Sequence, residues 1–242
     1  MKRLILLFFY SIVFSLFCKA QQPGDNDPTF NTIDVGFGNG DGFDNSVNKV
    51  ILQSDGKVVV GGSFTIFNGT SISKFIRLNT DGSPDATFSV GQGFNNTVYT
   101  AVVQTDGKII AGGAFGFYNG AGRNYIARLN TNGSNDNTFN IGTGFNNTTS
   151  DIIIQPDNKI IVAGSFTSFN GTTSNRIIRL DANGSLDATF NIGIGFDNTA
   201  LAVALQPDGK IIVVGNFTTF NGSSCNSVVS AKSCGIDHLR PV

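Results

Sequence analysis

The stretch Asp106-Gly107-Lys108-Ile109-Ile110-Ala111-Gly112-Gly113-Ala114-Phe115 decides the fold, because near copies begin at Asp55, Asp157 and Asp208, each 51 residues from the next. A fixed period of this length is the mark of a repeat architecture, in which one supersecondary unit is copied and each copy buries its apolar faces against its neighbours. Function in such an array belongs to the assembled surface and not to the repeated stretch.

Working outward from it, each unit reads as four short strands. The first is an apolar run ending in glutamine: Val47 to Gln53, Val98 to Gln104, Ile152 to Gln155 and Ala200 to Gln206, each closed by an Asp-Gly or Asp-Asn turn. The second is the continuous apolar run from Lys57 to Phe64, Lys108 to Phe115, Lys159 to Phe166 and Lys210 to Phe217, as expected for a strand buried on both faces. Its small residues (Gly61-Gly62, Gly112-Gly113, Ala163-Gly164) predict close approach of neighbouring sheets. Aromatic pairs follow (Phe64 with Phe67, Phe115 with Tyr118, Phe166 with Phe169, Phe217 with Phe220), then an Asn-Gly loop. The third strand is Phe75 to Asn79, Ile126 to Asn130 and Ile177 to Asp181. A polar outer strand is expected at Asp85 to Phe88, Asp136 to Phe139 and Asp187 to Phe190. Four antiparallel strands in about 50 residues fit a β-propeller blade.

Composition agrees. All 17 acidic residues are aspartate, and glycine (30 residues), asparagine and threonine are abundant, which is turn and strand chemistry poor in helix formers. Met1 to Ala20 reads as a secretory signal, with Lys2 and Arg3 before the apolar run Leu4 to Phe17 and a small-x-small site at Cys18-Lys19-Ala20. Its loss takes the formal charge from −1 to −4, so no basic footprint for nucleic acid is present. Of three cysteines only Cys225 and Cys234 lie beyond the signal, so the repeats use neither disulfides nor thiolate metal sites.

The pattern DGKII-x-GG-x-F, N-x-IARLN-x-DGS-x-D-x-TF resembles the delta-60 repeat, a β-propeller repeat of secreted and surface bacterial proteins. The resemblance covers roughly Asp27 to Gly222 and implies a propeller blade and a surface location; it brings no catalytic residue with it. The expected organisation is a signal at 1–20, an N-terminal strand and glycine-rich loop at 21–43, and repeats at 44–224. The repeats divide into 44–94, 95–145, 146–196 and a partial 197–224, followed by a tail at 225–242 with no counterpart in the other units. The fold class is therefore all-β, a propeller-like array of four-stranded blades, three full and others partial, as an incomplete or open ring. The glycines at Gly36, Gly38, Gly40 and Gly42 form a flexible loop and not a phosphate cradle, since no Lys-Ser/Thr follows. The tail reads either as a cap with a Cys225 to Cys234 disulfide or as the mark of a truncation or frameshift just after Ser224.

Catalytic residue types are scarce: the single histidine is His238, in the tail, and no glutamate is present. No catalytic, cofactor-binding or metal-ligating residue is assigned, and no cofactor is expected. The turn Asp181-Ala182-Asn183-Gly184-Ser185-Leu186-Asp187 spaces oxygen ligands as calcium prefers, but its siblings vary in carboxylate count and no bidentate glutamate closes any of them. An Asx turn is the competing reading. Arg77, Arg128 and Arg179 recur with an aspartate eight residues later, Asp85, Asp136 and Asp187, which fits a positioned ion pair within or between blades. The sequence thus points to a secreted or cell-surface, non-enzymatic scaffold or binding module for protein or polysaccharide, with no nucleic-acid partner and no membrane span after signal cleavage. The alternatives are a propeller enzyme, a lyase or glycoside-acting protein, and a nonfunctional fragment of a longer surface protein.

Overall fold

The computed structural model describes residues 29–31, 42–225 and 228–230. The signal, the loop residues 36–41, His238 and the Cys225 to Cys234 pairing lie outside the described residues. Among the described residues twenty strands fall into four units. The first holds β1 (Val47–Leu52), β2 (Val58–Gly62), β3 (Ile66–Phe67), β4 (Thr70–Ser71) and β5 (Phe75–Leu78). The second holds β6 (Val98–Val103), β7 (Ile109–Gly113), β8 (Phe117–Tyr118), β9 (Ala121–Gly122) and β10 (Ile126–Leu129). β11 (Thr149–Ile154), β12 (Ile160–Gly164), β13 (Ser168–Phe169), β14 (Thr172–Thr173) and β15 (Ile177–Leu180) make the third. β16 (Ala200–Leu205), β17 (Ile211–Gly215), β18 (Thr219–Phe220), β19 (Ser223–Ser224) and β20 (Val228–Ser230) make the fourth. No described residue is helical.

Each unit is one antiparallel sheet of three strands, with the Gly-Gly strand in the middle, plus a two-residue hairpin. The hairpin turns on Asn68, Asn119, Asn170 or Asn221, whose φ angles of 47 to 53° lie in the left-handed region that asparagine tolerates better than most residues. The first strands β1, β6, β11 and β16 pack against one another in series, so they form the inner edge along which the blades are stacked. Successive side chains of each middle strand point to opposite faces, and the core is therefore divided between blades. Val59 and Phe75 of blade 1 join Ile109, Ala111 and Leu129 of blade 2; Ile110 and Ile126 join Ile152, Ile160 and Val162 of blade 3; Ile161 and Ala163 join Val203, Ile211 and Val213 of blade 4. The aromatic pairs are completed by a third ring from the incoming chain. Phe94 lies 4.4 Å from both Phe115 and Tyr118, and Phe43, Phe145 and Phe196 repeat the arrangement. The Tyr118 hydroxyl donates to the Gly133 carbonyl, and burial raises its pKa far above that of a free phenol.

Two expectations are corrected. The outer strand at Asp85 to Phe88 and its copies is reduced to single bridges, Leu78 with Pro84, Leu129 with Asn135 and Leu180 with Leu186, after which the chain turns. The turn forms because the aspartate carboxylate folds back onto the main chain: Asp85 Oδ1 accepts from the Thr87 amide at 2.9 Å and from its hydroxyl at 2.7 Å, which is incompatible with an extended strand. Nor is the third strand of blade 4 lost after Ser224. Val228–Ser230 pairs with β17 in the register Val214 with Val228, as Gly61 pairs with Phe75 and Ala163 with Ile177. Cys225 likewise has counterparts: its amide donates to the Thr218 carbonyl as Ile72 donates to Thr65 and Ser174 to Thr167. Main-chain pairing requires no particular side chain, so it persists where Arg-Leu-Asn is replaced.

The Gly-Gly doublet serves two different contacts. A Cβ on the second glycine would lie 2.2 Å from a carbonyl oxygen of the blade's own incoming chain, Ser46 for Gly62 and Thr97 for Gly113, and this position is glycine in all four blades. The first glycine faces the next blade. A Cβ on Gly61 would approach Val98 to 2.9 Å, and one on Gly112 would approach Thr149 to 2.5 Å. Between blades 3 and 4 the same two positions are Ala163 and Ala200, both fully buried. Size lost on one side is gained on the other, as close packing demands. Gly112→Ala alone is therefore expected to cost about 1–3 kcal/mol by overpacking, and adding Thr149→Ala should recover most of it, because the pair then reproduces the Ala163–Ala200 contact. Denaturant titration of the two single variants and the double variant checks this; strict additivity would refute it.

Candidate functional site

The recurring charged residues meet in a buried cluster at each blade junction. In blade 1, Lys57 Nζ and Arg77 Nε both donate to Asp85 Oδ2, at 2.8 and 2.7 Å, while Asp85 Oδ1 is held by Thr87. Arg77 Nη1 crosses to the next blade and donates to the Thr131 carbonyl at 2.8 Å, and its guanidinium lies 4.5 Å over the Phe88 ring. Blade 2 repeats the cluster with Lys108, Arg128, Asp136 and Thr138, with Arg128 reaching the Ala182 carbonyl. Blade 3 repeats it with Lys159, Arg179, Asp187 and Thr189. The expected Arg–Asp pair is thus present in three copies, and the lysine at the head of each middle strand is a third member that the sequence reading missed. The signal was there: lysine precedes the apolar run at the same position in every unit.

Burial by itself would raise the pKa of Asp85, but the bonds from Lys57, Thr87 and Arg77 outweigh it and hold the carboxyl well below the usual carboxylate range. Asp136 and Asp187 are held down in the same way, against burial, by Thr138, Lys108 and Arg128 and by Lys159, Thr189 and Arg179. These aspartates are anions with every oxygen engaged. Asp187, the second carboxylate of the candidate calcium loop, is shared between two cations, Lys159 and Arg179. The central residue of each loop is also committed: Asp81, Asn132 and Asn183 accept from the amide and hydroxyl of the serine two residues on, which is the Asx turn. No group of three or more His, Cys, Asp or Glu suited to a metal occurs among the described residues.

Beside the first cluster lies a cleft of about 480 Å³ between blades 1 and 2, walled by Gln53, Asp55, Arg77, Gln104 and Thr131. It is a polar groove at the outer end of the inner strands. Unrepeated residues lie elsewhere. Asp151, where the other blades carry Lys49, Thr100 and Ala202, accepts from the Thr100 hydroxyl at 3.1 Å and from the Val203 amide at 3.0 Å, tying the inner strands of blades 2, 3 and 4 together. Tyr99 and Phe117, 42% and 53% exposed, are large unrepeated rings facing solvent in blade 2.

Four segments, residues 53–88, 104–139, 155–190 and 206–229, match the family described as a domain of unknown function (DUF5122) beta-propeller, and together they span more than half of the chain. The chain belongs to this β-propeller family. The fourth DUF5122 segment runs on to residue 229 and so includes most of β20, in agreement with the strand pairing. No curated protein matches the sequence. Among solved structures the DUF5122 chain is similar to PorZ, an essential bacterial surface component of the type-IX secretion system of Porphyromonas gingivalis, at 16% identity and TM-score 0.42 over 69% of this chain and 24% of PorZ. It is similar to the extracellular domain of BT4673 from B. thetaiotaomicron at 12% identity and TM-score 0.41, over 77% of this chain and 22% of that one. A protein of unknown function from Bacteroides caccae gives 13% identity and TM-score 0.40, over 76% and 62%. The DUF5122 chain spans about a quarter of the length of the first two.

Replacing Arg128 with Leu strands part of the charge on Asp136 and removes the bond to Ala182, with an expected cost of about 3 kcal/mol. Lys108→Met, at a half-buried site, should cost less than half of that; equal losses in denaturant titration would contradict the ranking. Because the three cluster aspartates have folded pKa values below the unfolded value of 3.8, the stability they contribute is complete above that value. It should disappear as the pH falls through the lowered folded pKa values. Melting temperature measured against pH should therefore be flat near neutrality and fall steeply below about pH 4.

Proposed function

We propose that this DUF5122 chain is a secreted or cell-surface, non-enzymatic β-propeller protein that acts as a scaffold or binding module for protein or polysaccharide. The observation that carries the reading is the use made of the recurring charges. Asp85, Asp136 and Asp187 are consumed in ion pairs with the lysines and arginines of their own blades, and the residues that differ between blades include the exposed rings Tyr99 and Phe117. Aromatic rings presented to solvent are the usual contacts for sugar faces and for interface hot spots. The export signal read at Met1 to Ala20 supports an extracellular location, and the ordered DGKII, GG-x-F and RLN submotifs support the narrower assignment to the delta-60 repeats.

Glycan arrays and pull-downs with extracellular proteins, using the full chain, test the proposal. Reproducible binding is expected. It should be lost, by about tenfold or more for an interfacial ring worth about 1.5 kcal/mol, in Tyr99→Ala or Phe117→Ala with the melting temperature unchanged. Silence in both assays would count against a binding role.

A further inference from the structure

The cleft of about 480 Å³ between blades 1 and 2 gathers polar groups that the blade junction leaves unused. Gln53 lines it, and its Oε1 is buried with no hydrogen-bond partner among the described residues. One blade on, the corresponding oxygen of Gln104 lies 3.5 Å from Arg128 Nη1. Arg77, which also lines the cleft, makes three other contacts: with Asp85, with the Thr131 carbonyl and, at 3.4 Å, with the Thr87 hydroxyl. A guanidinium carries more N–H donors than these contacts use, so spare donors and a buried, unpartnered acceptor share one groove. A buried polar group left unmatched is costly.

The lips of the cleft are a place where the blades differ. The residue after the repeated glutamine is Ser54, Thr105, Pro156 and Pro207 in blades 1 to 4. Of the junctions between these blades, only that of blades 1 and 2 therefore carries a hydroxyl at this position on both walls. The cavity between blades 3 and 4 is bounded instead by Pro156, Leu205 and Pro207. Asp55 and Arg77, of opposite charge, both line the first cleft, and each opposes an occupant of its own sign. An acceptor beside spare donors suits a molecule that donates and accepts at neighbouring atoms, which adjacent hydroxyls do. We infer that this cleft binds a neutral, hydroxyl-rich saccharide, with one hydroxyl bridging Arg77 and Gln53 Oε1 and others meeting Ser54 and Thr105. The inference rests on the binding role proposed above and gives it a site at the opposite end of β6 from Tyr99.

The full chain is tested against immobilised neutral gluco-, manno- and galacto-oligosaccharides, with uronate and chitosan oligomers as charged counterparts, and the strongest neutral binder is then titrated by calorimetry. Gln53→Leu, and a double variant carrying Ser54→Pro and Thr105→Pro, should each weaken that binder by about tenfold or more. Melting temperatures should hold, or rise for Gln53→Leu, since it removes a buried acceptor without a partner. Proline at these positions is what blades 3 and 4 already carry, and neither the Ser54 nor the Thr105 amide donates to a carbonyl among the described residues. The inference is overturned if no neutral oligosaccharide binds, if the charged oligomers bind better, or if affinity falls only in step with the melting temperature. A glycan lost on Tyr99→Ala but held in full by both cleft variants would uphold the proposed binding role and overturn the cleft as its site.

Discussion

The arginine that crosses the first two blade junctions is the interaction on which the rest depends. A three-stranded sheet with apolar side chains on both faces cannot stand alone in water, and the contact that brings the next sheet to it must also fix their relative position. Arg77 and Arg128 do both. Nε is fixed to an aspartate of the same blade, the guanidinium lies on a phenylalanine of that blade, and Nη1 takes a carbonyl of the next. Removing two or three charges from water at every junction is expensive. Here a carboxylate with four donors, a planar guanidinium and a stacked ring satisfy nearly every polar group they bury, and that completeness makes the arrangement tolerable at each repeat.

From this constraint follow the spacing and the shape of the blade edge. Because Asp85 must turn inward to meet Lys57 and Arg77, the chain after Pro84 cannot continue as an outer strand, and the blade is closed by an Asx-type turn where many propellers have a ladder. Because Arg77 reaches only one peptide group ahead, the blades must approach closely. That approach is allowed by Gly61 facing Val98, Gly112 facing Thr149 and Ala163 facing Ala200. Second-position glycines answer a different demand, the passage of the incoming chain over the middle strand, and so do not vary.

Much of this was legible in the sequence. The 51-residue period located the blades, and the first two long strands of each unit and the third of blades 1 to 3 were placed within a residue or two at most ends because apolar runs and Asp-Gly turns bound them tightly. The Arg–Asp pair was readable because both members recur at one spacing. What was not legible had physical reasons. The outer strand was misread because Asp-x-Thr-Phe alternates like a strand, while its threonine and aspartate bond to each other. Lys74, Tyr125 and Arg176 adopt left-handed φ angles of 66 to 72° at the start of the third strand, where no glycine or asparagine advertises it. Their conformation is imposed by main-chain bonds to the middle strand, such as Gly62 to Lys74 and Gly164 to Arg176. The third strand of blade 4 was missed because the motif read for it was made of side chains, and the ladder that forms it is made of peptide groups.

That last distinction bears on where function can reside in such a protein. A residue that recurs in every blade reports what every junction needs, and the Lys, Arg and Asp of the clusters are spent on that need. Residues free to vary are those whose position the ladder and the clusters already guarantee: Lys49, Thr100, Asp151 and Ala202 at one place on the inner strands, and Asn48, Tyr99, Ser150 and Leu201 beside them. Asp151 shows what such freedom yields, since its carboxylate takes the Val203 amide of the next blade without disturbing the bulge that all four inner strands share. A scaffold that fixes its backbone through buried peptide and charge contacts can change the chemistry of its inner edge one blade at a time, and it is on that edge that a ligand would meet four different side chains instead of four copies of one.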